Sequence, residues 1–232
     1  MRLAVFGANG PTGRQVVRQA LAAGHHVTAV TRKPAEFPLR SPHLDVVTAD
    51  VTDPAGVERV LAGPHAVIST FGVPYSRHPI TVYSQGIAHI TQAMSTHGIR
   101  RLVCVSSTTV ATQEAPDESL FWRKVVVPVL RNVVGRTLYD DMQRMEQIVR
   151  NSDLDWTVVR PGGLFNTADP TGDHQVAARR LPGRFTSRAD LAHALIAEAT
   201  EPRHPRSIIE VVSRSGPASP TTFLKEALGV RG

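Results

Sequence analysis

Cysteine is almost absent from this sequence of 232 residues, in which Cys104 is the one residue of its type. A single cysteine cannot form an internal disulfide or a zinc site built from thiolates. Long hydrophobic runs are also missing. The apolar run at the start of the chain, LAVF, ends at Gly7. That run is too short for a signal peptide or a membrane span. These absences predict a cytoplasmic protein without a membrane partner.

Several signatures of catalysis and binding are missing as well. The ten histidines show no HExxH pair or other spacing of metal ligands, so we predict no metal site. The chain also lacks a GxSxG nucleophile turn and a P-loop lysine. Its formal charge of +6 comes from dispersed basic residues without a zinc-finger, helix-turn-helix or RNA-binding motif. We interpret this charge as a solvated basic surface and predict no nucleic-acid partner.

What the sequence does contain is an alternation of short, apolar, β-branched runs with helical spacing. Strands with two apolar faces that are joined by helices are typical of a parallel sheet covered on both sides. We therefore predict a single doubly wound α/β domain over residues 1–232, a Rossmann fold with a small substrate-binding excursion towards the C-terminus. The predicted strands are residues 2–6, 26–31, 44–48, 65–70, 101–106, 156–160 and 207–212. The predicted helices are residues 11–23, 54–62, 81–96 and 140–150, one after Ser187 and one at 222–228.

Two segments interrupt this alternation. Residues 107–137 and 161–186 both follow predicted strands, at the end where open α/β sheets place their ligands. We predict that the two segments form the substrate pocket. Phe121 and Trp122 lie in the first segment, and they either cover an aromatic substrate or anchor a long excursion.

A glycine-rich turn joins the first strand to the first helix. Gly7 suits a tight turn, Gly10 lets the backbone approach a pyrophosphate, and Gly13 lets the helix lie close to the sheet. The helix N-terminus then offers amide donors and a positive dipole end to phosphates. The predicted dinucleotide-binding residues of the turn are Gly7, Asn9, Gly10, Pro11, Thr12 and Gly13.

The end of the second strand indicates which dinucleotide binds. An acidic residue at this place holds the ribose 2′-hydroxyl of NAD, whereas an arginine accommodates the 2′-phosphate of NADP. Here Arg32 and Lys33 occupy the position. Two cations favour a phosphate dianion, so we predict that the cofactor is NADP(H). The alternative is that both are ordinary surface charges.

The motifs GANGPTG, TRKP, ADVTDPAGV, AVISTFG, LVCVSS and LDWTVVRPGG together resemble those of atypical short-chain dehydrogenase/reductases with a GxxGxxG turn. Within that superfamily the chain is most similar to the flavin/biliverdin-IXβ reductase type and its bacterial NAD(P)H-binding relatives. The resemblance implies that Ser107 is the active-site serine. It also implies cofactor contacts at Asp50, Val51, Thr70, Phe71, Gly72, Ser106, Pro161, Gly162, Gly163 and Leu164.

The sequence departs from the superfamily at its catalytic pair. Most short-chain dehydrogenases use a tyrosine and a lysine four residues later, and the lysine lowers the pKa of the tyrosine. Leu138 and Met142 align with those positions, while Tyr139 lies one residue away and is followed by Gln143. We therefore predict that the dyad is absent, as it is in the flavin/biliverdin reductase type.

Two functions from different classes fit these residues. The first is an NADPH-dependent reductase that transfers hydride to a small planar acceptor such as a flavin, a quinone, a biliverdin-like molecule or an aromatic metabolite. The second is a non-catalytic NADP(H)-sensing regulator of the NmrA type. A tailoring reductase or epimerase of specialised metabolism is a third alternative. The Ser106–Ser107 pair favours the reductase. We expect the protein to be a monomer or a homodimer.

Overall fold

A computed structural model describes residues 1–76, 78–111, 124 and 127–216. The strands are β1 (Arg2–Phe6), β2 (His26–Thr31), β3 (Leu44–Thr48), β4 (Ala66–Ser69), β5 (Arg101–Val105), β6 (Asp155–Pro161), β7 (Gly163–Phe165), β8 (His174–Ala177), β9 (Phe185–Ser187) and β10 (Ser207–Ser213). The helices are α1 (Pro11–Ala22), α2 (Pro54–Val60), α3 (Val82–Thr96), α4 (Val127–Val129), α5 (Arg136–Arg150) and α6 (Arg188–Thr200). Shorter helical turns cover Pro34–Glu36, Thr108–Val110 and Leu130–Val134.

The main sheet has eight strands in the order β3-β2-β1-β4-β5-β6-β10-β8. The first seven of these run parallel to their neighbours, and β8 is antiparallel to β10. The chain fills one side of the sheet with β1, β2 and β3 and then returns to place β4 on the other side of β1. Ligands of open α/β sheets bind at such a reversal, outside the carboxyl ends of the strands. The predicted doubly wound Rossmann fold is confirmed.

Helices cover both faces of this sheet, because successive side chains of each strand point to opposite faces. In β1, Leu3 and Val5 belong to the core beneath α1 and α6, whereas Ala4 and Phe6 belong to the core beneath α2, α3 and α5. All four side chains are fully buried. The two-sided burial explains why the central strands appear in the sequence as continuous apolar runs.

The excursion at residues 161–186 is more ordered than its composition indicates. It contains β7 and β9, which pair in a small parallel sheet, and β8, which extends the main sheet beside β10. The helix predicted to begin at residue 140 begins at Arg136. Phe121, Trp122 and the helix predicted at 222–228 lie outside the described residues.

A buried carboxylate holds this excursion against the sheet. Asp190, in the first turn of α6, has no exposed surface. It accepts hydrogen bonds from the backbone N–H of Thr171 at 2.7 Å and the Thr171 hydroxyl at 2.8 Å, and a further one from the Ser213 hydroxyl. The Ser187 hydroxyl caps α6, as the sequence predicts, by accepting from the amides of Ala189 and Asp190.

None of the helices in the described ranges has the length and apolar character needed to cross a bilayer.

Candidate dinucleotide and acceptor site

The backbone of the protein itself requires two of the three glycines in the turn after β1. Gly7 has a φ of +76°, and a Cβ there would lie 2.5 Å from the amide nitrogen of Phe71. A Cβ at Gly13 would overlap the carbonyl oxygen of Gly7 and lie 2.7 Å from the Cα of Ala8. Both distances are too short for any side chain, so these glycines set the path of the turn.

Gly10 differs from its two neighbours. Its φ of −70° and ψ of 162° are open to any residue. Among the described atoms, a Cβ at Gly10 would meet just one neighbour within 4 Å, the carbonyl oxygen of Gly7 at 3.3 Å. The fold therefore does not demand glycine at this position. Open space above the backbone is what the close approach of a pyrophosphate requires, and Gly10 provides it.

The N-terminus of α1 is also suited to an anion. Within the described residues, no side chain caps the helix, and its first turn contains no acidic residue. By contrast, Asp53 caps α2 and Ser187 caps α6. The first amides of a helix have no carbonyl partner within it, and they lie at the positive end of its dipole. The uncapped end of α1 therefore fits a phosphate group.

Arg14 is a residue of this turn that sequence reasoning missed. The side-chain oxygen of Asn9 accepts hydrogen bonds from Arg14 Nε at 3.0 Å and Arg14 Nη2 at 2.7 Å. This contact ties the predicted Asn9 to α1 and places a guanidinium beside the phosphate-binding turn. A basic residue in the first turn of a helix that follows a glycine-rich turn is a signal that could have identified it.

The cations at the end of β2 have acidic neighbours. Arg32 Nη1 lies 3.9 Å from Asp50 Oδ2, and 78% of the Arg32 side chain is exposed. Hydrogen bonds from the backbone and side chain of Thr52 lower the pKa of Asp50, and the charge of Arg32 acts in the same direction. Lys33 Nζ lies 2.9 Å from Glu36 Oε1. Arg32 is thus the more available of the two cations for a 2′-phosphate.

The segment after β4 lies across the reversal from the glycine turn. The Thr70 hydroxyl donates to the carbonyl of Phe6 at 3.0 Å, which joins the ends of β4 and β1. Phe71 and Val51 meet at Gly86 of α3, where a Cβ would lie 3.0 Å from each of them. A Cβ at Gly72 would reach the Tyr83 hydroxyl at 3.5 Å. Gly86 therefore lets Val51 and Phe71, predicted residues after β3 and β4, pack together against α3.

The two serines after β5 point to different places. The Ser106 hydroxyl is buried and donates to Glu146 Oε1 on α5 at 2.7 Å. The half-buried Ser107 hydroxyl accepts from the amide of Thr109 at 3.2 Å and caps the turn Thr108–Val110. Ser107 therefore presents its side chain at the carboxyl edge of the sheet, whereas the Ser106 side chain lies beneath α5.

Tyr139 on α5 lies close to this edge, beside a second tyrosine. Its hydroxyl is 2.9 Å from that of Tyr75, in the segment after β4. Burial raises the pKa of Tyr139, as does the neighbouring Tyr75 hydroxyl, while a hydrogen bond with Thr109 acts in the opposite direction. Gln143 occupies the position four residues later. The Tyr139 phenol is therefore a weaker acid than an ordinary tyrosine.

The turn after β6 is held by backbone contacts. The amide of Gly163 donates to the carbonyl of Arg184 at 2.7 Å, and the amide of Gly162 donates to the Thr186 hydroxyl at 2.9 Å. A Cβ at Gly162 would overlap the Arg184 carbonyl oxygen. Pro161 ends β6, and the partly buried Leu164 packs on the core beneath α1 and α6. The glycine pair thus lets β7 approach β9 at the edge of the sheet.

Comparison with known proteins identifies the family of this chain. The sequence matches the model of the NAD(P)H-binding family over residues 7–202. The chain belongs to this family. An uncharacterised chloroplast protein of Arabidopsis thaliana is 28% identical over 222 residues, which are 91% of this chain and 76% of that protein. An uncharacterised protein of Mycobacterium tuberculosis is 28% identical over 205 residues, and the match spans 22% of its greater length.

Solved structures of the same fold include reductases. A short-chain dehydrogenase/reductase of Veillonella parvula in complex with NADP aligns with a TM-score of 0.77 and 17% identity, over 94% of this chain and 99% of that one. The anaerobilin reductase ChuY of Escherichia coli O157:H7 aligns with a TM-score of 0.71 and 21% identity, over 94% of this chain and 100% of that one. A putative NADH-flavin reductase of Streptococcus pneumoniae aligns with a TM-score of 0.69 and 23% identity, over 92% of this chain and 100% of that one. At these identities the likeness shows the fold.

Proposed function

We propose that this member of the NAD(P)H-binding family is an NADPH-dependent reductase that transfers hydride to a small planar acceptor. Residues 1–232 would then form one dinucleotide-binding domain, with the acceptor pocket built from segments 107–137 and 161–186. The observation that carries the proposal is that the glycine turn, Ser107 and the Tyr75–Tyr139 pair all lie at the carboxyl edge of one sheet. Binding and chemistry would therefore share one location.

The proposed contacts to the cofactor follow from the open position at Gly10 and the uncapped α1. Gly10 leaves room for the pyrophosphate, and Arg32 reaches from the end of β2 towards the 2′-phosphate. Phe71 and Val51 would line the adenosine half of the site, and Ser107 the nicotinamide half. NADPH supplies the hydride, so the protein has to bind the acceptor against the nicotinamide and exclude water between them.

A planar acceptor suits the aromatic pair beside Ser107. Tyr75 is 48% exposed, so its ring is available to a planar molecule, and its hydroxyl is hydrogen-bonded to that of the buried Tyr139. Conjugated acceptors such as flavins and quinones take up hydride and obtain their proton from solvent. Such acceptors do not need a strong acid in the site. This agrees with the raised pKa of Tyr139 and with the glutamine, instead of a lysine, at position 143.

The experiment that tests the proposal is an NADPH-consumption assay with FMN, riboflavin, quinones and biliverdin as acceptors, together with a titration of NADPH binding. We expect turnover of at least one acceptor. Tight NADPH binding without turnover of any acceptor would contradict the reductase and favour the sensing regulator.

Two single substitutions separate the roles at the carboxyl edge. We expect Tyr139→Phe to keep most of the rate, because a buried phenol of raised pKa contributes little as an acid, whereas loss of an essential general acid costs about a hundredfold to ten-thousandfold. We expect a larger loss, of about tenfold or more, for Ser107→Ala. Steady-state kinetics on the active acceptor measure both effects.

The Ser107→Ala result needs a control because the Ser107 hydroxyl also caps a turn. Asparagine keeps capping ability without a hydroxyl, so Ser107→Asn should retain the thermal stability of the protein and still lose activity. A thousandfold drop for Tyr139→Phe, with unchanged NADPH affinity, would instead assign the acid role to Tyr139.

A further inference from the structure

A groove outside the glycine turn runs along α5 and faces β6 and β10, two inner strands of the main sheet. Its volume is about 450 Å³, which is within the usual range for sites that hold small molecules. Four arginines line it, namely Arg150, Arg160, Arg179 and Arg180, together with the carboxylates of Glu146 and Glu210. None of these residues belongs to the glycine turn or to the segment after β4.

Two ion pairs fix the inner wall of the groove. Arg160 donates to the buried Glu146 through Nε at 2.8 Å and Nη2 at 2.6 Å. Arg180 Nη1 donates to both oxygens of the buried Glu210 at 2.9 Å, and the amide of Leu181 reaches the same carboxylate at 3.0 Å. Arg160 and Glu210 are direct neighbours in the register of β6 and β10. The two pairs therefore form one rigid row of alternating charge.

The remaining charge of the groove is positive. Among the described residues that line the groove, four arginines against two glutamates leave an excess of two positive charges. Arg150 lies 3.6 Å from Glu146 Oε2, an oxygen that Arg160 already engages at 2.6 Å, and 52% of the Arg150 side chain is exposed. Arg179 is exposed as well. These two guanidinium groups at the mouth of the groove can turn towards a ligand at little cost.

The other lining groups define the chemistry of that ligand. Gln143 and Gln147 face the groove from α5, and their amides donate hydrogen bonds. Val110 and Ile208 add apolar surface to the same groove. We propose that the groove binds a small organic anion, whose carboxylate or phosphate group contacts Arg150 and Arg179 and whose carbon skeleton lies on Val110 and Ile208.

A hydrogen bond connects the groove with the strand that carries Ser107. Glu146 accepts from Arg160 and from the Ser106 hydroxyl through the same oxygen, Oε1. Val110 and Arg179 belong to segments 107–137 and 161–186, so the groove lies in the region from which we propose the acceptor pocket. Its arginines come from α5, β6 and the segment after β8, outside the glycine turn. The proposal does not depend on reductase activity, and it holds equally for a regulator.

Isothermal titration of the full chain tests the groove, with citrate as the carboxylate probe and glycerol 3-phosphate as the phosphate probe. Both titrations are made at constant ionic strength and in the presence of saturating NADP⁺. We expect saturable binding of at least one probe. The double variant Arg150→Gln/Arg179→Gln should weaken it by about tenfold or more, since each charge-assisted contact is worth roughly that factor.

The matched control is Arg59→Gln/Arg203→Gln, which removes the same charge from exposed positions outside the groove. It should leave the affinity for the probe unchanged, and both double variants should retain the NADP⁺ affinity of the wild type. Binding of citrate alone or of glycerol 3-phosphate alone identifies the group that the arginines recognise. The proposal is overturned if neither probe binds saturably or if the control loses as much affinity.

Discussion

We expect Gly10→Val to abolish dinucleotide binding in a protein that remains folded. The backbone at Gly10 lies in the extended region, which valine adopts readily. Among the described atoms, a Cβ there would meet one neighbour within 4 Å, the Gly7 carbonyl oxygen at 3.3 Å, which a small shift relieves. A branched side chain would fill the volume that the pyrophosphate needs. Because several charge-assisted contacts depend on that approach, the affinity for NADPH should fall on the order of a hundredfold or more. Fluorescence titration of NADPH measures the loss.

The other two glycines of the turn are the natural comparison. A Cβ at Gly7 or Gly13 would overlap the backbone of the protein itself. Gly7→Ala and Gly13→Ala should therefore lower the midpoint of thermal unfolding, whereas Gly10→Val should leave it close to that of the wild type. If a soluble Gly10→Val protein retains NADPH affinity, the phosphates bind at another site.

The second large effect is expected at Arg32. Replacing this arginine by alanine should lower the affinity for NADPH by about tenfold to a hundredfold, because one charge-assisted contact contributes roughly 1.5–3 kcal/mol. NADH lacks the 2′-phosphate, so its affinity should change little. In the wild type the carboxylate of Asp50 lies 3.9 Å from the Arg32 guanidinium. In the variant this carboxylate remains and can accept a hydrogen bond from a ribose hydroxyl.

Lys33→Ala is the matched variant for this prediction. It removes the same charge from the neighbouring residue, whose ammonium lies 2.9 Å from Glu36. We expect it to weaken NADPH less than Arg32→Ala. Equal affinity of the wild-type protein for NADH and NADPH would refute the assignment of the phosphate to Arg32, and with it the proposed preference for NADPH.

Local sequence signals were sufficient for the central part of the fold. The runs at β1, β2 and β3 match the strands of the structure to the residue. β1 is buried on both faces and therefore has a continuous apolar pattern, whereas β3 lies at the edge of the sheet and is at most half-buried. The start of α6 followed from Ser187, a residue type that favours helix N-caps. The positive φ of Gly7 at the turn was likewise implied by a glycine directly after a strand.

The strands of the excursion could not be predicted in the same way. β8 and β9 are short, partly polar segments among glycine and proline, and their intrinsic preference for a strand is weak. Pairing with β10 and β7 forms them, and the buried Asp190 of α6 holds Thr171, just before β8. Contacts of this kind join residues that are distant in the chain and therefore leave no local pattern.

The sequence by itself determined the class of fold, the glycine-rich turn after β1 and the position of a basic residue after β2, because each depends on a few adjacent residues. Tertiary structure alone decided that Ser106 turns beneath α5 while Ser107 stays at the carboxyl edge, and that Tyr139 pairs with a tyrosine 64 residues away. It also decided that four arginines from α5, β6 and the segment after β8 share one groove. The physical reason is that hydrogen bonds and ion pairs depend on distances in space, which packing of the sheet and helices sets, whereas turns and strand patterns depend on neighbours along the chain.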